Sequence, residues 1–238
     1  MNDAFLPIDE LVAEWLDRAG VAMPPVDVRQ VARRLQLKVV CDDRQSGRAR
    51  MVRMGCPGSD SGVSIFVRRE ARGERLQWSI AHEIGEAFAA EAFGRLDWDA
   101  RGAAPGLRER VANQIANRLL LPTAWFRRDL ESCQRDLFPL KAIYRTASYE
   151  LIARRLLDFP PYSITAIFDQ GELTRRMGNL PSRLPPLMAC ESAAQREAFR
   201  SGECADCSGG RFSCRAWAIH ERDWKREIIR TEYLECEG

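Results

Sequence analysis

The nine residues Trp78-Ser-Ile-Ala-His82-Glu83-Ile84-Gly85-Glu86 constrain this chain more than any other stretch. They read as an amphipathic helix carrying a metal-hydrolase motif of the form H-E-x-x-H, with Glu86 in the final position. Residues four apart on an α-helix share a face, so positions 82 and 86 can grip one ion from successive turns. Glu83 reaches over the same ion and can take a proton from its water. The chain has two histidines, His82 and His220, so a two-histidine site within this helix is excluded. Without its surroundings, the pentapeptide also fits an ordinary helix with solvated glutamates and a core histidine.

Glu109-Arg-Val-Ala112-Asn113 follows downstream, then Leu119-Leu-Leu121-Pro122. Some zinc hydrolases take a third ligand from a glutamate on a second helix, with a polar residue one turn later orienting the first histidine. Glu109 and Asn113 have that spacing. The expected metal set is His82, Glu86 and Glu109, with Asn113 behind it and Glu83 as the general base. Two carboxylates and one imidazole make a harder site than two imidazoles and one carboxylate, which widens the choice from Zn²⁺ toward Mn²⁺ or Fe²⁺. Such a set leaves the ion less positive, so a slower hydrolase is expected.

Residues 24 to 126 resemble the ImmA/IrrE family of metallopeptidases. The resemblance is carried by Pro24-Pro25-Val26-Asp27-Val28, Val31-Ala32-Arg33-Arg34-Leu35 and Leu37-Lys38-Val39-Val40. It continues through Ile65-Phe66-Val67, Arg75-Leu-Gln-Trp78-Ser-Ile-Ala-His82-Glu83 and Ala112-Asn113 with Leu119-Leu-Leu-Pro122. It implies a zincin-like core, a divalent metal and a protein substrate, typically a transcriptional repressor. The departure is Glu86, where the family has its second histidine.

Lys and Arg number 36 against 34 Asp and Glu, a near balance that gives no global nucleic-acid footprint. The sequence lacks an apolar run of membrane-spanning length, and its start lacks the basic-then-apolar pattern of a signal peptide. A cytoplasmic protein is expected. Its eight cysteines should then be thiols or metal ligands rather than disulfides.

Periodicity predicts a helix over 8–20, a helix from an Asp27 cap through Leu35, and strands near 37–41, 48–54 and 62–67. A Gly, Ser and Asp-rich turn separates the last two. The motif helix is expected over 72–93 and, after a Gly/Pro break at 101–106, a second helix over 107–120. The fold class is α+β, a small zincin-like metallopeptidase core with a short twisted sheet. Residues 1–126 form that core and 127–160 a helical, helix-turn-helix-like segment with a break near Thr146. Residues 161–238 form a β-hairpin, a Cys-rich loop and a terminal helix. Arg154 and Arg155 could face nucleic acid, but packing of that segment is favoured over direct binding.

Ser163–Phe168 and Glu172–Arg176 read as the hairpin, turning at Gly171. The tail holds Cys190, Cys204, Cys207 and Cys214 in the pattern C-x₁₃-C-x₂-C-x₆-C, with His220 beyond. This is a candidate second site for Zn²⁺ or a [4Fe–4S] cluster, against a loop of free thiols. For His220, docking or capping is favoured over metal binding, within an amphipathic helix expected around Trp217 to Ile229.

Two function classes follow. One is a metal-dependent peptidase that cleaves a regulatory protein, with Tyr144 or Tyr149 as candidate oxyanion donors. The other is a pseudo-peptidase whose groove binds a partner protein or a ligand. A non-catalytic DNA regulator is a third, weaker class.

Overall fold

The computed structural model describes residues 5–54, 62–70, 72–99 and 105–233. Backbone contacts divide the chain into two compact units, Asn2–Ser148 and Tyr149–Gly238, so the helical segment expected at 127–160 is shared between them. The turn at 55–61 and most of the break near 101–106 lie outside the described residues.

The first unit opens with α1 (Leu6–Arg18) and α2 (Val28–Arg34). Asp27 caps α2, its side chain accepting from the Arg29 N–H at 3.0 Å. Three strands follow: β1 (Lys38–Cys41), β2 (Ala49–Met54) and β3 (Gly62–Val67). Their spatial order is β1-β3-β2, with β1 parallel and β2 antiparallel to the central β3. Ile65 and Val67 of β3 are fully buried. β2 is therefore an edge strand.

The motif helix α3 spans Gly73–Ala87 and is separated by Phe88 from α4 (Ala89–Arg95). The sequence reading had merged the two. Phe88 packs on Trp15 of α1 with ring centroids 4.9 Å apart, and this contact sits at the break. Helices α5 (Pro105–Leu120), α6 (Thr123–Ser132) and α7 (Leu137–Ile143) complete the unit. The core packs the apolar faces of α1, α3 and α5, including Leu11, Ile80, Ile84, Ile115 and Leu119, none of them exposed. A buried ion pair, Arg118 Nε to Asp9 Oδ1 at 2.9 Å, ties α5 to α1.

The second unit contains α8 (Tyr149–Leu156), the hairpin β4 (Ser163–Asp169) and β5 (Glu172–Gly178), then α9 (Ala189–Ser201). Strands β6 (Ala205–Gly209), β7 (Phe212–Glu221) and β8 (Trp224–Tyr233) follow. They form one antiparallel sheet in the order β5-β4-β8-β7-β6, with α9 packed on β6, β7 and β8. The β4–β5 hairpin is as expected: Gln170 and Gly171 both hold positive φ, 53° and 82°, the conformation of a two-residue I′ turn.

The terminal helix expected around Trp217 to Ile229 is instead β7, a tight turn and β8. β8 lies between β4 and β7, and Glu227 to Thr231 are all buried, so its sequence shows no strand alternation. Arg155 is buried, ion-paired with Asp158 and stacked on Phe159, rather than presented outward. Among the described residues, no helix is long and apolar enough to cross a membrane.

Candidate metal centre

The site is built where α3 crosses α5. Gly85, inside the motif, sets the approach: a Cβ there would fall 2.7 Å from the Ala112 carbonyl oxygen and 2.8 Å from the Ala112 Cα. Glycine in a helix interior costs about 1 kcal/mol relative to alanine, and here its missing side chain lets the two backbones touch. That contact places Glu109 and Asn113, one turn apart on α5, against His82 and Glu86, one turn apart on α3.

One ligand-type atom each from His82, Glu86 and Glu109 lies within 4.8 Å of the others. His82 Nε2 stands 3.6 Å from Glu109 Oε2, and His82 Nδ1 stands 3.2 Å from Asn113 Oδ1. Asn113 Nδ2 donates to Glu109 Oε1 at 3.0 Å. This chain of contacts sets the directions of the hydrogen bonds. A carboxylate only accepts, so the Asn113 amide must turn its NH₂ to Glu109 and its oxygen to His82. His82 then donates from Nδ1, and in the neutral imidazole this is the tautomer whose Nε2 lone pair is available to an ion. The chemistry of this donor set fits a divalent ion: one imidazole nitrogen and two carboxylates that meet at one place.

Glu86 has a partner that spacing did not reveal. Arg108 Nε donates to Glu86 Oε2 at 2.6 Å, and Arg108 Nη2 donates to the Glu86 backbone oxygen at 2.8 Å. Glu83 lies on the β2 side of α3, where its carboxylate accepts from the backbone N–H of Met51. Burial raises the Glu83 pKa above its ordinary value by stripping water from the charged form. The negative charges of Glu86 and Glu109 push the same way, against His82 and the Met51 N–H. A carboxyl held above its usual range is suited to accept and return a proton near neutrality.

Three residues at this site escaped the sequence reading. Gly85 had a signal, because glycine inside an otherwise good helix asks for a close neighbour. Arg108 and Met51 had none, since neither a salt bridge nor a strand-edge N–H leaves a mark on spacing.

Tyr144 is not an oxyanion donor. It is fully buried and its hydroxyl donates to Asp129 Oδ2 at 2.8 Å, which together hold its proton far above the ordinary phenol range.

The tail cysteines are arranged differently from a compact zinc set. Cys190 opens α9 and Cys214 lies in β7, both buried, and their thiols are hydrogen-bonded. Cys207 stands opposite Cys214 in the β6–β7 register, and Cys204 precedes β6. Among the described residues, no three of these sulfurs lie within 4.8 Å of one another. The Cys214 pKa is pushed up to about 12, first by burial. Cys190, Cys207 and Cys214 pack with Ala194, Ala198, Ala205 and Ala216 between α9 and the sheet. His220, expected to dock or cap a helix, instead bonds the fully buried Glu227 from strand to strand, Nε2 to Oε1 at 2.6 Å.

A short sheet with an edge strand, a helix-borne His-Glu pair and a glutamate from a second helix define a zincin-like, metallopeptidase-type unit. Residues 46–157 match the model of the peptidase M78 family, described as the IrrE N-terminal-like domain. Among solved structures the chain is similar to a Mycobacterium tuberculosis transcriptional regulator, at 16% identity and a TM-score of 0.65. The match covers 94% of this chain and 74% of that one, and it is a likeness of fold. No curated protein matches the sequence.

Proposed function

We propose that this protein is a metal-dependent peptidase that cleaves a regulatory protein such as a transcriptional repressor. The observation that carries the reading is the relay from Glu109 through Asn113 to His82, which aims Nε2 at the two carboxylates. His82, Glu86 and Glu109 would hold the ion, with Zn²⁺, Mn²⁺ or Fe²⁺ compatible with the donors. A divalent ion there supplies Lewis acidity, acidifying water and polarising a peptide carbonyl.

This chain's own groups do the rest. Glu83 takes a proton from the attacking water and returns it to the leaving amine. The Met51 N–H, by bonding the Glu83 carboxylate, would hold that base on the β2 side of α3. β2 is the edge strand nearest Glu83, so an extended peptide laid along it would bring its carbonyl to the site. That geometry favours a strand-like segment of a protein substrate over a small molecule. The likeness to a transcriptional regulator agrees with a substrate or partner in transcriptional control; a cytoplasmic location is part of this proposal.

A second reading is a pseudo-peptidase that binds a partner without cutting it. The Arg108–Glu86 ion pair favours it, because it satisfies one ligand internally. A second ion or [4Fe–4S] cluster at Cys190, Cys204, Cys207 and Cys214 has weaker support, since Cys214 keeps its proton and the sulfurs are not gathered.

The deciding experiment is metal analysis of protein purified without added metal and after reloading. The peptidase reading expects one ion per chain, lost in His82→Ala, together with proteolysis of a cognate regulator. An ion-free protein that still binds its regulator would establish the pseudo-peptidase instead.

A further inference from the structure

We infer that Arg108 is a charge-balancing residue whose guanidinium offsets the carboxylate at position 86, so that a glutamate works where a neutral imidazole would otherwise stand. This rests on the reading of His82, Glu86 and Glu109 as a metal centre.

The argument begins with charge. Two imidazoles and one glutamate give an ion a ligand set with one negative charge. Replacing an imidazole by Glu86 adds a second negative charge, and Glu83 stands close by. The Arg108 guanidinium carries one positive charge and lies against Glu86 at 2.6 Å. The pair Glu86–Arg108 is then neutral as a unit, like the imidazole it stands in for. The ligand set returns to one net negative charge.

Geometry gives the pair its permanence. Arg108 binds Glu86 at two points, the carboxylate oxygen Oε2 and the backbone oxygen of the same residue. The backbone oxygen belongs to the last turn of α3, so the guanidinium is located by the helix and not only by a mobile side chain. The planar fork of arginine suits this double grip, which a lysine ammonium makes less well. Arg108 takes Oε2, and one Glu86 carboxylate oxygen lies within 4.8 Å of the ligand atoms of His82 and Glu109.

Arg108 and Glu86 are partly open to water, with side chains 48% and 21% exposed. Exposed ion pairs contribute little to folding stability, so changing Arg108 should leave the fold intact. Its effect should appear at the ion. A positive neighbour repels a dication, so Arg108 weakens metal binding while keeping the net charge of the site near that of a two-histidine site. A purely structural arginine would have the opposite signature: its loss would free Glu86 to wander and weaken binding. The sign of the change separates the two roles.

The test is titration of the metal-free full-length chain with Zn²⁺ by calorimetry, at low and at high ionic strength. The variants are Arg108→Gln, Arg108→Lys and, as a control for the site, His82→Ala. Arg108→Gln should bind Zn²⁺ on the order of tenfold more tightly than the wild type at low salt, the scale of one charge beside a dication in a water-accessible setting. Arg108→Lys keeps the charge and should bind like the wild type. The gap between Gln and wild type should narrow at high salt. Equal or weaker binding by Arg108→Gln overturns the inference, and weaker binding assigns Arg108 to scaffolding alone. If Zn²⁺ binds none of the chains, or binds His82→Ala as well as the wild type, the metal centre itself has failed and this role goes with it.

Discussion

A Cβ on Gly85 would lie 2.7 Å from the carbonyl oxygen of Ala112, a separation real side chains do not adopt. Both neighbours of that clash are backbone, so relief requires the helices to part. Gly85→Ala should therefore reverse the usual helix-propensity gain. The expected loss is about 1–3 kcal/mol of stability, the range for overpacking a tight contact. Zn²⁺ affinity should fall with it, since Glu109 and Asn113 move away from His82. Urea unfolding and metal titration of one preparation check both; a stabilised variant with full affinity refutes the close-approach role.

Asn113 holds His82 in the tautomer that frees Nε2. Asn113→Leu should lower metal affinity about 10–100-fold, the usual effect of losing a residue that orients a ligand. The fold should survive, because Asn113 is only half-buried. Circular dichroism with a competitive chelator assay decides it; unchanged affinity would remove Asn113 from the site.

Glu83 links chemistry to stability. Its folded pKa is raised above the unfolded value, so its contribution favours folding at low pH and is lost as pH rises through the raised pKa. At neutral pH the charged form is a small liability. Glu83→Gln should therefore raise the melting temperature by about 1–2 °C, a value discounted because the group is partly open to solvent. The gain should grow from pH 5 to pH 8. Metal content should stay the same while peptide cleavage drops at least about 100-fold. Thermal melts across pH, with metal analysis and a cleavage assay, test all three.

Tyr144 gives a contrasting result. Tyr144→Phe leaves the buried Asp129 Oδ2 without its donor, at a cost of about 1–3 kcal/mol. Zn²⁺ affinity and cleavage per folded molecule should not change. A variant of normal stability with lost turnover would restore Tyr144 to the chemistry.

Much of the first unit was legible because its signals are local. The Asp27 cap, the three strand segments and the one-turn pairs His82–Glu86 and Glu109–Asn113 are each local in the chain. The break at Phe88 was hidden because the apolar pattern runs through it, and the interruption comes from packing on Trp15. Arg108 was hidden because its partner is on another helix, and arginine at a helix start is common. The tail misled for a different reason. β8 is covered on both faces, so Glu227 to Thr231 lost the alternation that marks a half-exposed strand. The four cysteines carry a plausible ligand spacing, yet Cys190 and Cys214 are spent on packing between α9 and the sheet.

The strand order of the second unit carries a consequence for how the protein is made. β8 is the last strand in sequence and the middle one in space, between β4 and β7. As synthesis proceeds, the β4–β5 and β6–β7 hairpins emerge early, each with an open flank and no shared sheet. They join only when residues up to Tyr233 have left the ribosome, through contacts distant in sequence and therefore slow to form. A nascent chain halted before that strand would expose two raw β-edges and invite wrong pairings.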